Sequence, residues 1–117
     1  MKRAIDESFE TQMTKAYPCL KLAEEVIEEI TGFTLDDIRG ACRQQCYAEA
    51  RIYFYHLCSE YIRPTYLLTS YMNSSHSMMN YWGKRYDDLF TYDKKFKRIA
   101  TSIEETFNKK ALEYGVF

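Results

Sequence analysis

Ser74, Ser75, His76 and Ser77, followed by Asn80 and Lys84 one and two helical turns on, are the densest group of small hydrogen-bonding side chains in this 117-residue chain. Small hydroxyl residues at the start of a helix leave its backbone N–H groups open to phosphate oxygens. Asn pairs with adenine edges, and Lys with guanine or phosphate. A short helix, a turn without proline and a second helix with a polar first turn is an arrangement that reads a DNA major groove. The same pattern also describes an ordinary helical hairpin with a serine cap. His76 alone reads equally as a surface histidine near a helix start.

Other groups of reactive residues lead to less. Cys42 and Cys46 are four apart, and His56 and Cys58 two apart, with no Cys-x-x-Cys pair. Structural zinc needs four converging ligands, so buried thiols and no metal are the expectation. A thiol activated by His56 or His76 would need a proximity that nothing in the spacing supplies. The doublets Glu24-Glu25, Glu28-Glu29, Asp36-Asp37 and Asp87-Asp88 diverge by about 100° per residue on a helix, which makes them solvated surface rather than an acid–base pair. No glycine-rich phosphate loop occurs, so no ATPase is expected. The sequence therefore points to a protein that is not an enzyme and carries no cofactor.

The elements that must position these residues follow from periodicity. Few breakers (4 Gly and 2 Pro) and a high aromatic load of 11 Tyr, 7 Phe and 1 Trp predict long helices with short connections. Residues 1–17 read as an arm or short helix, with Ile5, Phe9 and Met13 at spacing four and Pro18 interrupting it. Residues 18–117 read as one domain. A helix is predicted over Cys19–Thr31 with Gly32 as its cap, then a short turn of helix over Leu35–Arg39, capped by Thr34 and Asp37. A long helix follows over Arg43–Ile62, with Tyr47, Ala50, Phe54, Leu57, Cys58 and Tyr61 inward. Pro64 is placed to open the short apolar element Thr65–Met72, and Asn73-Ser74-Ser75 is a turn. Helices over His76–Phe90 and Asp93–Tyr114 complete the chain. Met79, Trp82, Tyr86 and Leu89 face inward on the first of them, and Phe96, Ile99, Ile103 and Phe107 on the second. The fold class is all-α, a single domain of about five to six helices containing a helix-turn-helix.

Charge is unevenly spread. Residues 1–38 hold four Lys/Arg against nine Asp/Glu, and residues 39–98 hold ten against five, so an acidic front precedes a basic middle that could face a polyanion. Opposite surfaces that merely neutralise one another would give the same count. No apolar run reaches the roughly 18 residues that span a bilayer. Met1–Thr14 carries Asp6, Glu7 and Glu10 and does not read as a signal peptide. With four cysteines in no recognisable disulfide framework, a cytoplasmic location is expected.

The order of these features resembles one known family. Over about 80 residues, from Val26 to Phe107, the chain is similar to the C-terminal DNA-binding domain of the bacterial replication initiator DnaA, a Trp-repressor-like helical fold. The resemblance is carried by Leu35-Asp36-Asp37-Ile38, by Ala50-Arg51 at the long helix, and by Asn73-Ser74-Ser75-His76-Ser77-Met78-Met79. The last of these stands against a family signature close to Asn-Arg-Asp-His-Ser-Thr-Val. Lys84-Arg85-Tyr86-Asp87-Asp88-Leu89 and Asp93-Lys94-Lys95-Phe96 resemble the family's tail. His76 and Ser77 match positions that the family uses at the major groove. Ser74 and Ser75 stand where it has Arg and Asp, and Met78 where it has Thr. Its basic loop is reduced to Ala41-Cys42-Arg43-Gln44-Gln45, in which only Arg43 keeps a charge.

Two functions follow as expectations. In the first, the chain binds double-stranded DNA as a replication- or transcription-associated accessory factor. His76, Ser77, Asn80 and Lys84 would read base edges or phosphates, and Arg43, Arg51, Ser74, Ser75, Lys94 and Lys95 would hold the backbone. The reduced loop then implies a site other than the family's usual DNA box. In the second, the fold has lost DNA binding and serves protein interaction, as a homodimer or with a partner. Tyr53, Tyr55, Tyr66, Tyr81 and Tyr92 exceed what one stripe can bury, and exposed tyrosines are common at interfaces.

Overall fold

A computed structural model of the chain describes residues 8–62 and 65–115. Six helices and no strand occur among them: α1 (Phe9–Thr31), α2 (Leu35–Arg39), α3 (Gln45–Ser59), α4 (Tyr66–Met72), α5 (His76–Tyr92) and α6 (Lys94–Tyr114). The all-α class read from periodicity is the observed one.

Local chemistry sets most of the boundaries. The Thr34 hydroxyl accepts the Asp37 N–H at 3.3 Å while the Asp37 carboxylate accepts the Thr34 N–H at 2.9 Å, the reciprocal capping box expected for α2. Gly32 closes α1 at φ 83°, a left-handed conformation that costs glycine little. The Asp93 carboxylate accepts the Phe96 N–H at 3.0 Å, so this one residue ends α5 and caps α6.

Two expectations need correction. Pro18 does not interrupt the chain: α1 runs on through it. A proline inside a helix costs about 3 kcal/mol. Met13 and Ala16 before it, and Cys19, Leu20, Leu22 and Ala23 after it, pack on one core, and that shared burial offsets the lost hydrogen bond. Residues 9–17 are therefore the first turns of a long helix. The first seven residues of the predicted arm, with Ile5, lie outside the described residues, as does Pro64. The helix predicted over Arg43–Ile62 is shorter at both ends. It begins after Gln44 and ends at Ser59, where the Cys58 carbonyl accepts both the Tyr61 and Ile62 N–H groups and tightens the chain out of register. Tyr61 consequently lies at the edge of the core, 38 % exposed with its ring stacked on buried Phe107 at 5.3 Å.

One core joins all six helices. α1 packs on α3 and α6, α5 packs on α3 and α6, and the short α2 and α4 close the end where α1 and α3 meet. An aromatic seam runs between α3, α5 and α6. Tyr53 stacks on Phe96 at 4.5 Å between centroids, His56 lies flat on Tyr86 at 3.5 Å, and Tyr86 meets Phe96 edge-on at 5.5 Å.

Candidate nucleic-acid interface

α4 and α5 are joined by the three-residue turn 73–75. Asn73 takes the left-handed conformation at φ 54°, one of the few non-glycine side chains suited to it, and the Ser74 N–H reaches back to the Thr69 carbonyl at 2.9 Å. The Ser75 hydroxyl accepts the Met78 N–H at 3.2 Å and so caps α5. Met79, Trp82, Tyr86 and Leu89 are buried, as their spacing predicts, and fix the rotation of the helix about its axis. That rotation turns His76, Ser77, Asn80 and Lys84 outward, and all four are exposed.

The loop before α3 meets this turn. Arg51, one of the expected backbone contacts, is committed elsewhere. Its Nε donates to the Ile38 carbonyl at 2.9 Å, its Nη1 to Cys42 at 2.7 Å, and its Nη2 to Gly40 at 2.8 Å and Asp37 at 3.3 Å. These carbonyls lie at the end of α2 and in the loop after it, and the guanidinium ties the loop to α3 by bonding them. Arg51 therefore adds positive charge near the turn, while its donors serve the fold. Arg43, in the same loop, makes no hydrogen bond or ion pair among the described residues and is exposed.

Between loop and turn lies a cleft of about 510 Å³, which brings together Arg43, Arg51 and Ser74 from the predicted set. Arg39, Met78 and Tyr81 also line it; sequence reasoning did not single out Arg39, met Met78 only as a departure from the family signature, and assigned Tyr81 to a protein interface. Arg39 donates from Nε to the Tyr71 carbonyl at 2.6 Å and stacks over the Tyr71 ring at 4.9 Å. A cation in the last turn of a helix reads as a partner for its dipole, which hides any second role. Met78 and Tyr81 carried a usable signal: both fall off the inward stripe of α5, and both are exposed.

Lys94 and Lys95 are not part of this group. They open α6, one helix length from His76, and 17 residues at 1.5 Å each place them about 25 Å away. With Lys97 and Arg98 they form a separate cationic patch, in which Lys97 lies over the Phe90 ring at 5.3 Å.

The other reactive groups are dispersed. Cys19 and Cys58 are buried; burial pushes the Cys19 thiol up to about 11 and raises Cys58 as well, which leaves both protonated and unreactive. Cys42 and Cys46 are exposed. Burial against Tyr86 lowers the pKa of His56, with Glu104 and Asp87 opposing the shift. Among the described residues no three His, Cys, Asp or Glu side chains converge on a metal position, and no helix is long and apolar enough to cross a membrane.

Glu24, Glu25, Glu28 and Glu29 of α1 line a separate groove of about 750 Å³ with Pro18, Leu22 and Tyr114. Lys110 pairs with Glu29 at 2.8 Å and Lys21 with Glu24 at 3.2 Å. The acidic front of the sequence thus forms a surface of its own, while Arg39, Arg43 and Arg51 gather at the cleft. Compared with known proteins, the chain matches no family model, no curated protein and no solved structure.

Proposed function

We propose that this chain is a non-catalytic module that binds duplex DNA through the leading turns of α5, with a replication- or transcription-associated role. The observation that carries the reading is the state of that helix. Four buried side chains lock one face, while His76, Ser77, Asn80 and Lys84 stand exposed on the other. A rigid helix with a polar first turn is what a major groove accepts. Arg43 beside the turn supplies charge for a flanking phosphate, and Ser74 a neutral hydrogen bond. The likeness of residues 26–107 to the DnaA C-terminal domain supports the same reading, with the altered signature implying a different target sequence. Lys94 and Lys95 would meet the backbone only on a duplex that also follows α5 to its far end.

The test is binding to a random duplex library at two salt concentrations, with a His76→Ala, Lys84→Ala double variant beside the parent. The expected result is salt-sensitive binding that the double variant loses. Arg43→Ala should flatten the slope of log K against log salt by about one unit. No binding by folded parent at low salt would overturn the reading.

A second reading rests on a different observation. Tyr92 is 85 % exposed and Leu112 79 %, two large apolar side chains left in solvent. A protein-interaction module, as a homodimer or with a partner, would cover them. Sedimentation of the parent against Leu112→Glu tests the homodimer form, which predicts a dimer that the variant dissolves.

A further inference from the structure

We propose that the cleft between the loop before α3 and the α4–α5 turn is a binding site for a small organic anion with an aromatic body. Its size of about 510 Å³ falls in the range of small-molecule sites, roughly 300–1,000 Å³. Its chemistry is one-sided: three arginines line it, and no carboxylate among the described residues does. A low-dielectric concavity with charge of one sign concentrates ligands of the other.

The three arginines differ in what they have left to give. Arg51 has four of its five N–H donors on carbonyls, and Arg39 has its Nε on the Tyr71 carbonyl. Both are anchored by the fold and add positive charge to the cleft. Arg43 alone makes no hydrogen bond or ion pair among the described residues, so its planar fork is available to a carboxylate, sulfonate or phosphate. Apolar surface covers the remainder. Ile38, Met72 and Trp82 are buried and form the base, and Met78 and Tyr81 stand at the edge, 41 % and 53 % exposed. Solvated apolar side chains around a cationic centre suit an aromatic body with an anionic head. The acidic groove on α1 is larger, yet its four glutamates would repel the same ligand.

The consequence for regulation rests on the DNA reading above. Arg43 and Ser74 belong both to the cleft and to the surface proposed to meet DNA, so an anion seated there competes for the phosphate contact.

Trp82 is the one tryptophan in the chain, and its indole N–H gives a single, unambiguous NMR signal from the cleft. The experiment titrates the full chain with anilinonaphthalene sulfonate and with its uncharged parent, phenylnaphthylamine. The expected result is saturable binding of the sulfonate that shifts the Trp82 indole signal, with at least tenfold weaker binding of the uncharged compound. Arg43→Ala should weaken the sulfonate about tenfold and remove that preference. Ala48→Leu, which adds bulk to the lining, should weaken both compounds. Absent binding, equal affinity for the two compounds, an unmoved indole signal, or full affinity in Arg43→Ala would each overturn the site. Adding the sulfonate to a DNA titration separates the two proposals. A parent that binds the dye and no DNA keeps the site and loses the DNA reading, and DNA binding with no dye binding does the reverse.

Discussion

On the side of α5 that faces α3 and α6, Met79, Trp82, Tyr86 and Leu89 are buried in an aromatic seam, whereas the cleft at the head of the same helix keeps Arg43, Met78 and Tyr81 in solvent. The seam is nearly saturated: rings meet at 3.5 to 5.5 Å, and the Tyr53 hydroxyl is the buried side-chain group left without a partner among the described residues. At the cleft, hydrogen bonds are spent on the backbone (Ser75 on α5, Arg51 on the loop), while the outward side chains stay unspent. The difference teaches where each property of the molecule resides. Stability belongs to the seam, binding capacity to the head, and Arg51 is the hinge between them because it lines the cleft yet serves the fold.

The largest effect should come from the seam. Phe96 is 1 % exposed and touches both Tyr53 and Tyr86. Phe96→Ala should cost about 3–5 kcal/mol in urea unfolding. A loss below about 1 kcal/mol would mean that the seam is loosely packed, and the division between the two regions would fail.

Arg51→Ala comes next. It removes a charged donor from four carbonyls at the end of α2 and in the loop, and about 2–3 kcal/mol of stability should go with it. Arg43→Ala, eight residues earlier and lining the same cleft, should cost less than about 0.5 kcal/mol. Equal losses in the two variants would show that a charge at the cleft matters for the fold whether or not it is bonded.

Those two arginines also mark where sequence reading stops. The inward stripe of α5 was legible because burial imposes a period of three and four, and the caps of α2 and α5 because a side chain bonds a backbone only two or three residues away. Arg51 reaches carbonyls nine to fourteen residues back in the chain, and no local pattern records such a contact. Pro18 misled for a related reason. Its local penalty is visible in sequence, while the core that α1 shares on both sides of it belongs to tertiary packing. Arg43, Ser74 and the outward face of α5 could be named from sequence, but the cleft that joins Arg43 to Tyr81 exists only once the loop folds against the turn.

A smaller effect concerns pH and belongs to the seam. Burial against Tyr86 disfavours the charged form of His56, with Glu104 of α6 and Asp87 of α5 opposing the shift and Glu60, just past the end of α3, near Glu104. Its folded pKa lies below the unfolded value near 6.5, so the unfolded chain binds the extra proton more readily. Stability is retained above that value and is lost as pH falls through it. His56→Phe keeps the ring on Tyr86 and removes the proton, and it should flatten the decline in unfolding free energy between pH 7 and 5. Parallel curves for parent and variant would show that His56 titrates freely and that the seam admits water.

The smallest effect on stability is expected where the effect on function is largest. His76 and Lys84 are exposed, and neither side chain bonds another described residue, so the fold loses almost nothing when they shrink. Replacing both by Ala should move the unfolding free energy by less than about 0.5 kcal/mol for each site. Alanine's higher helix propensity at Lys84 and His76 even favours a slight gain. The same double variant is the one expected to lose DNA, which makes the pair of measurements decisive. Lost binding with unchanged stability assigns both side chains to the ligand. Lost binding with a drop of more than about 1 kcal/mol would instead trace the loss to a disturbed α5, and the outward face would no longer be separable from the seam beneath it.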